Sequence, residues 1–131
     1  NIQFLKRISQ EEMAKCFEDA NVFVLSSFAE NSPNALGEAM MIGTPTIVTS
    51  VGGVMSIVKD NKSALVFPTG DHAFLANQID TLFSNDNLAK KISDSAKLIA
   101  RKRHDVLATT DQYLCIYSEI LKLHHENLTS I

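Results

Sequence analysis

The sequence predicts an α/β fold, a doubly wound parallel sheet followed by a helical C-terminal part. Three observations carry that expectation. Short apolar or β-branched runs at 2–5, 22–25, 46–49 and 64–67 alternate with segments of helical spacing. The run Val22, Phe23, Val24, Leu25 has no polar residue to turn toward water, as a strand covered on both faces requires. From Asp71 onward the apolar spacing is helical throughout.

Composition sets the frame. The chain has 131 residues, enough for one domain with a real core. Hydrophobic residues make up 45% and charged residues 21%, the balance of an ordinary globular domain. A net charge of −3 argues against nonspecific nucleic-acid binding, and no nucleic-acid partner is expected. No apolar run reaches the length of a membrane span and no signal-peptide pattern opens the chain, so a cytoplasmic location is expected. Cys16 and Cys115 form no metal or redox motif and are expected as buried thiols in a reducing compartment. Because the chain opens on Asn1 and enters a strand pattern almost at once, it is expected to be a fragment of a longer protein.

Residues 2–5 read as a first short strand. Ser9 with Glu12 three residues on is a capping box and opens a helix through about Glu18. The second strand, 22–25, runs into a polar loop, and the next helix starts with Ser32 as N-cap and Pro33 at the first helical position. Gly43 closes that helix in the left-handed conformation, with Pro45 just beyond. Residues 46–49 read as the third strand, 54–58 as a short helix, 60–63 as a turn and 64–67 as the fourth strand. Asp71 caps a helix through about Phe83, with Phe74, Leu75, Ile79, Leu82 and Phe83 at helical spacing. Asp86 caps another, ending near Arg103, and a last helix covers about 105–125. Val106, Thr110, Tyr113, Tyr117 and Ile120 share one face of that last helix, with Leu107, Leu114 and Leu121 beside it. Arg101, Lys102, Arg103 and His104 complement a helix C-terminus, the alternative being a membrane-surface or acceptor-phosphate role. His124 and His125 are adjacent and cannot ligate as an i, i+4 pair, so they read as a frayed end.

The stretch 30–41 organises the rest. A strand, a polar loop and a helix N-terminus together make an anion site, because the first N–H groups of a helix lack partners and the macrodipole is positive there. On the helix, Ala35, Leu36, Ala39 and Met40 share an apolar face, while Asn34 and Glu38 stack on another. The Glu38 carboxylate leans back toward the anion site, where a ribose diol beside a diphosphate would meet it. Gly37 costs about 1 kcal/mol of helix propensity relative to Ala, a cost understandable if something approaches its backbone. Gly52 and Gly53 permit close backbone approach, or a plain turn. Taken singly, Glu30 and Glu38 read better as a solvated loop acid and a solvated helix acid.

Glu30 and Glu38, separated by seven residues on a strand-loop-helix and followed by Gly43-Thr44-Pro45 and Val51-Gly52-Gly53-Val54, closely resemble the retaining glycosyltransferases of family 4. The resemblance covers residues 4–117 and implies the C-terminal, Rossmann-like donor-binding half of a GT-B enzyme, without its first strands and without the N-terminal acceptor domain. It implies that Glu38 holds the donor ribose, that Glu30 lies beside the transferred sugar as the catalytic candidate, and that the backbone of Asn31 and Ser32 meets the sugar hydroxyls. Pro33, Asn34, Leu36 and Gly37 complete the donor-binding helix start, and Arg7 and Ile8 lie in the loop that meets the base. Lys6 stands where many relatives carry glycine, and Lys6 and Arg7 read alternatively as solvated loop cations. The implied partners are a UDP- or GDP-linked sugar donor, a sugar or lipid-linked acceptor and the N-terminal domain, with the last helix crossing back to that domain. Association with the inner membrane face would come through the absent domain. No Asp-x-Asp metal motif is present and no cofactor or metal is expected. The isolated chain is expected to transfer no sugar, since the cations for the diphosphate come, in that family, from an Arg and a Lys upstream. The alternative is a noncatalytic nucleotide-binding or assembly module of the same fold; a sugar-nucleotide epimerase fits the spacing around Glu30 less well.

Overall fold

The computed structural model describes residues 1–129, and side chains through Leu121 and Lys122. Two compact units divide at residue 100. In the first unit three strands, β1 (Phe23–Leu25), β2 (Thr46–Thr49) and β3 (Leu65–Phe67), form a parallel sheet in that order. Val24, Ile47 and Leu65 are mutual register partners, as are Leu25, Val48 and Val66. Alternation then sends the two rows to opposite faces.

Each face has its own core. Val48 packs in a cluster with Leu36 and Met40 of α2 (Asn34–Ile42), with Val54 and Ile57 of α3 (Val54–Ile57), and with Ala96 and Ala100 of α5 (Asp86–Arg103). Ile47, Leu65 and Phe67 pack in a second cluster with Leu82 of α4 (His72–Ser84) and Ile92 of α5. Helices therefore cover both faces, which is the doubly wound arrangement expected of a parallel sheet. Full burial of side chains such as Leu36, Ile47 and Leu65 contributes about 1.5–3 kcal/mol each. The helix α1 (Gln10–Asp19) buries Phe17, whose ring meets Phe23 edge to face at 5.4 Å between centroids. The Thr44 hydroxyl donates to the Phe17 carbonyl at 2.6 Å and ties α1 to the end of α2.

The capping box at Ser9 and Glu12 is formed. Asp71 caps α4 through the Phe74 N–H, and Asp105 caps α6 (Val106–Thr129) through the Leu107 and Ala108 N–H groups. Several expectations are corrected. Residues 2–5 form no strand, leaving three strands among the described residues: alternation chooses which face a strand shows, but a ladder also needs a neighbour, and β1 stands at the sheet edge. Edge position also leaves β1 half-buried where full burial was expected. Pro33, not Ser32, is the N-cap of α2, with φ −70° and ψ 111°; the ring fixes φ at a value that suits either position, and ψ decides. Asn85, not Asp86, caps α5, its Oδ1 accepting from the Leu88 N–H at 3.0 Å.

Leu75, Ile79 and Leu82 turn inward, but Phe74 and Phe83 lie about 90° to either side of that stripe and are exposed. Cys16 and Cys115 are both exposed, contrary to the buried thiols expected. Cys16 is one position before the buried Phe17 and so sits about 100° off the packed face of α1. The second unit contains α6, whose Val106, Leu107, Tyr113, Leu114, Tyr117, Ile120 and Leu121 are all exposed. Its backbone is helical through His124 and His125, whose side chains lie outside the described residues.

Candidate functional site

Because β1 and β2 are parallel neighbours, the loops after Leu25 and Thr49 leave the sheet at the same end. Strand C-terminal ends are where doubly wound sheets bind ligands. Two loops meet there. The Gly53 N–H donates to the Glu30 carbonyl at 3.0 Å. A Cβ on Gly52 would overlap that carbonyl oxygen, and one on Gly53 would overlap the carbonyl oxygen of Asn31. The paired glycines are thus explained by close approach, and the surface approached is the 30–31 backbone.

Glu30 is half-buried, and its Oε1 accepts from the Ser27 hydroxyl at 3.0 Å. The second carboxylate oxygen of Glu30 has no recorded partner among the described residues. Ser27 is itself held, because the buried Thr49 hydroxyl donates to its carbonyl at 2.7 Å. Sequence reasoning missed Ser27 and Thr49. A Ser three residues before an acid is a local signal that could have found the first; the second acts across 22 positions and leaves no local trace.

Asn31, Ser32 and Asn34 are exposed and Pro33 is half-buried. The cap residue of α2 makes no side-chain hydrogen bond and the first turn has no acidic residue. The N–H groups of Asn34, Ala35 and Leu36 have no intrahelical acceptor, so a partly positive, donor-rich helix end faces the loop that carries Glu30. Leu36 is fully buried, so the residues at the start of α2 with surface open to a ligand are Asn34 and Ala35. Gly37 is also buried.

Glu38 is exposed, about 6 Å along the helix axis from Asn34. It lines an open groove of about 300 Å³ between α1 and α2, with Gln10, Ala14, Phe17, Met41 and Ile42. Ile8 is half-buried two residues before Gln10, and Arg7 is exposed. Sequence reasoning missed Gln10 and Met41, because which helix lies beside α2 is a tertiary fact. Among the described residues no cluster of His, Cys, Asp and Glu could hold a metal ion, and no helix is long and apolar enough to cross a membrane.

Fold and site together define a GT-B glycosyltransferase domain, a Rossmann-like unit with its loops gathered at the strand ends. The chain belongs to the family of glycosyl transferases group 1, whose profile matches residues 1–99. It is 29% identical over 122 residues to a D-inositol 3-phosphate glycosyltransferase of Nocardioides sp., covering 91% of this chain and 27% of that protein. It is 26% identical over 120 residues to the GalNAc-α-(1→4)-GalNAc-α-(1→3)-diNAcBac-PP-undecaprenol α-1,4-N-acetyl-D-galactosaminyltransferase of Campylobacter jejuni, covering 91% of this chain and 33% of the other. Among solved structures, the sucrose-phosphate synthase of Thermosynechococcus elongatus superposes with a TM-score of 0.84 at 26% identity, over 92% of this chain and 30% of that one. Anabaena HepE in complex with UDP-glucose superposes with a TM-score of 0.76 at 24% identity, over 82% and 30%. The chain thus spans about a third or less of the length of each of these four proteins.

Proposed function

We propose that this chain is the donor-binding half of a retaining glycosyltransferase that moves a hexose from a UDP- or GDP-linked donor to an acceptor hydroxyl, in polysaccharide or glycolipid assembly. The observation that carries the reading is the uncapped N-terminus of α2, with Glu30 in the loop before it and Glu38 one turn inside it. Glu38 accepts from the ribose hydroxyls; the N–H groups that begin α2 donate to the diphosphate oxygens. Glu30 lies beside the transferred sugar, the backbone of Asn31 and Ser32 meets its hydroxyls, and the backbone of Arg7 and Ile8 meets the base. HepE, a fold neighbour, is described with UDP, UDP-glucose and glucose, which supports a nucleotide-sugar ligand for the same architecture.

In the reaction the bond from the sugar anomeric carbon to the β-phosphate oxygen breaks and one to the acceptor oxygen forms. The acceptor proton leaves to the departing diphosphate or to solvent. The developing negative charge falls on the diphosphate, where the helix N-terminus contributes about half an elementary charge, and further cations come from the rest of the protein. No side chain here is assigned as a nucleophile.

The test is transfer by the intact protein from UDP- and GDP-linked hexoses, with and without EDTA. Turnover that survives chelation and falls about 10²- to 10³-fold in Glu30→Gln is expected. Turnover lost on chelation and restored by magnesium or manganese removes the metal-independent reading. Binding of donor with no transfer to any acceptor favours the noncatalytic module.

A further inference from the structure

We infer that Gly53 and Thr49 are positioning residues for the sugar-side loop at 27–32; the inference rests on the functional reading above and names what holds that site. Neither residue offers a side chain to a ligand, since Thr49 is fully buried and Gly53 has none. Both grip the loop through its backbone. The Thr49 hydroxyl donates to the Ser27 carbonyl at 2.7 Å and reaches the Leu25 carbonyl at 3.4 Å. Ser27 passes the constraint on, because its hydroxyl donates to the Glu30 carboxylate. From the other side the Gly53 N–H fixes the Glu30 carbonyl.

Gly53 adds a steric condition. A Cβ there would overlap the Asn31 carbonyl, a backbone group that cannot rotate away as a flexible side chain could. Its φ is −70°, which any residue adopts, so the demand for glycine comes from space and not from backbone strain. The peptide it presses on joins Asn31 to Ser32, and that same peptide carries the Ser32 N–H. One methyl group at position 53 therefore moves a candidate sugar contact directly and pulls on Glu30 through the adjoining peptide. Glu38 is held differently, by a helix whose Leu36 and Met40 are fully buried in the core. Disturbing the Gly53 or Thr49 grip thus separates the sugar side of the site from the ribose side.

The experiment uses the intact protein as wild type, Gly53→Ala, Thr49→Val and Thr49→Ser. Binding of UDP against UDP-glucose, and of GDP against GDP-mannose, is measured together with kcat and KM for transfer. In Gly53→Ala and Thr49→Val, affinity for the free nucleotide is expected to stay within about threefold of wild type, since Glu38 is held independently. The extra affinity conferred by the sugar is expected to fall about tenfold, and kcat about 10²-fold, the effect of an ångström of misplacement. Thr49→Ser keeps the hydroxyl and is expected to recover most of the Thr49→Val loss. Equal losses for nucleotide and nucleotide sugar, an unchanged kcat, or a Thr49→Ser variant no better than Thr49→Val would each overturn the inference. If Gly53→Ala does not fold, the Thr49 pair decides it. Wild type that binds no nucleotide sugar counts against the functional reading alone. In that event a crystal structure of Gly53→Ala decides the positioning claim: displacement of the Asn31–Ser32 peptide over an unchanged sheet is expected, and a superimposable loop overturns it.

Discussion

The two ends of α2 are built in opposite ways. At its C-terminus Gly43 adopts φ 97°, its N–H and that of Thr44 both donate to the Ala39 carbonyl, and the Ser93 hydroxyl donates to the Gly43 carbonyl. The Ala39 and Gly43 carbonyls at that end are thus tied to protein. The N-terminus has no side-chain cap and no first-turn acid, whereas α1, α4, α5 and α6 are capped by Ser9, Asp71, Asn85 and Asp105. A side-chain cap is worth about 1 kcal/mol, so a helix that forgoes one leaves donors open at the cost of some stability. The contrast divides nine residues in two: one end fixes the helix, and the other leaves its first N–H groups without a side-chain acceptor.

That contrast can be broken by substitution. Glu38→Ala has the largest expected effect on binding, a loss of about 1.5–3 kcal/mol in donor affinity, the worth of charge-assisted hydrogen bonds. Thermal stability is expected to hold, since Glu38 is exposed and alanine is the better helix former. Calorimetry on the intact protein reads the first quantity and a melting curve the second; unchanged affinity or a collapsed melting temperature removes the ribose assignment.

Gly43→Ala probes the other end and is expected to reverse the pattern. A non-glycine residue in the left-handed region costs about 1–2 kcal/mol. The Lys97 side chain, which the new methyl group would meet, can swing aside. Denaturant unfolding is expected to show the loss while donor affinity stays put. A weakened donor site in this variant would mean that the two ends are not independent.

Pro33→Ser sharpens the comparison with the smallest effect. Serine can supply the cap hydrogen bond that proline lacks, and stability is expected to rise by about 0.5–1 kcal/mol. The same hydroxyl occupies an N–H group wanted by the ligand, so donor affinity is expected to fall severalfold, about 1 kcal/mol at most. Both moving in the same direction would contradict a helix start reserved for the ligand.

Local chemistry was readable in the sequence where a group finds its partner within a few residues. The Ser9 and Glu12 capping box closes over three positions, and Gly43 with Pro45 marks a helix end regardless of what surrounds it. Residues 2–5 have the alternation of a strand, yet pairing depends on a neighbour that alternation does not encode. Asn85 and Asp86 are both good caps, and which one serves is decided by the residue at which α4 stops. At the site, the two glutamates and the glycine pair stood out by residue type and spacing. What the glycines touch was not readable, because Gly53 and Asn31 meet only once β1 and β2 lie side by side. Thr49 reads as an ordinary β-branched strand residue; its hydroxyl gains its meaning from Ser27 on the neighbouring chain segment.

The central claim is that the start of α2, with Glu30 and Glu38 around it, receives the nucleotide diphosphate of a sugar donor. An amide-shift titration of this 131-residue chain with UDP, GDP and their sugar conjugates tests it most directly. The account predicts a folded chain, binding no tighter than roughly millimolar, about −4 kcal/mol, because the start of α2 contributes only about half an elementary charge toward the diphosphate. It places the shifts at Arg7, at residues 31–36 and at Glu38. Micromolar binding by this chain alone, or shifts centred on Arg101, Lys102, Arg103 and His104, would contradict it.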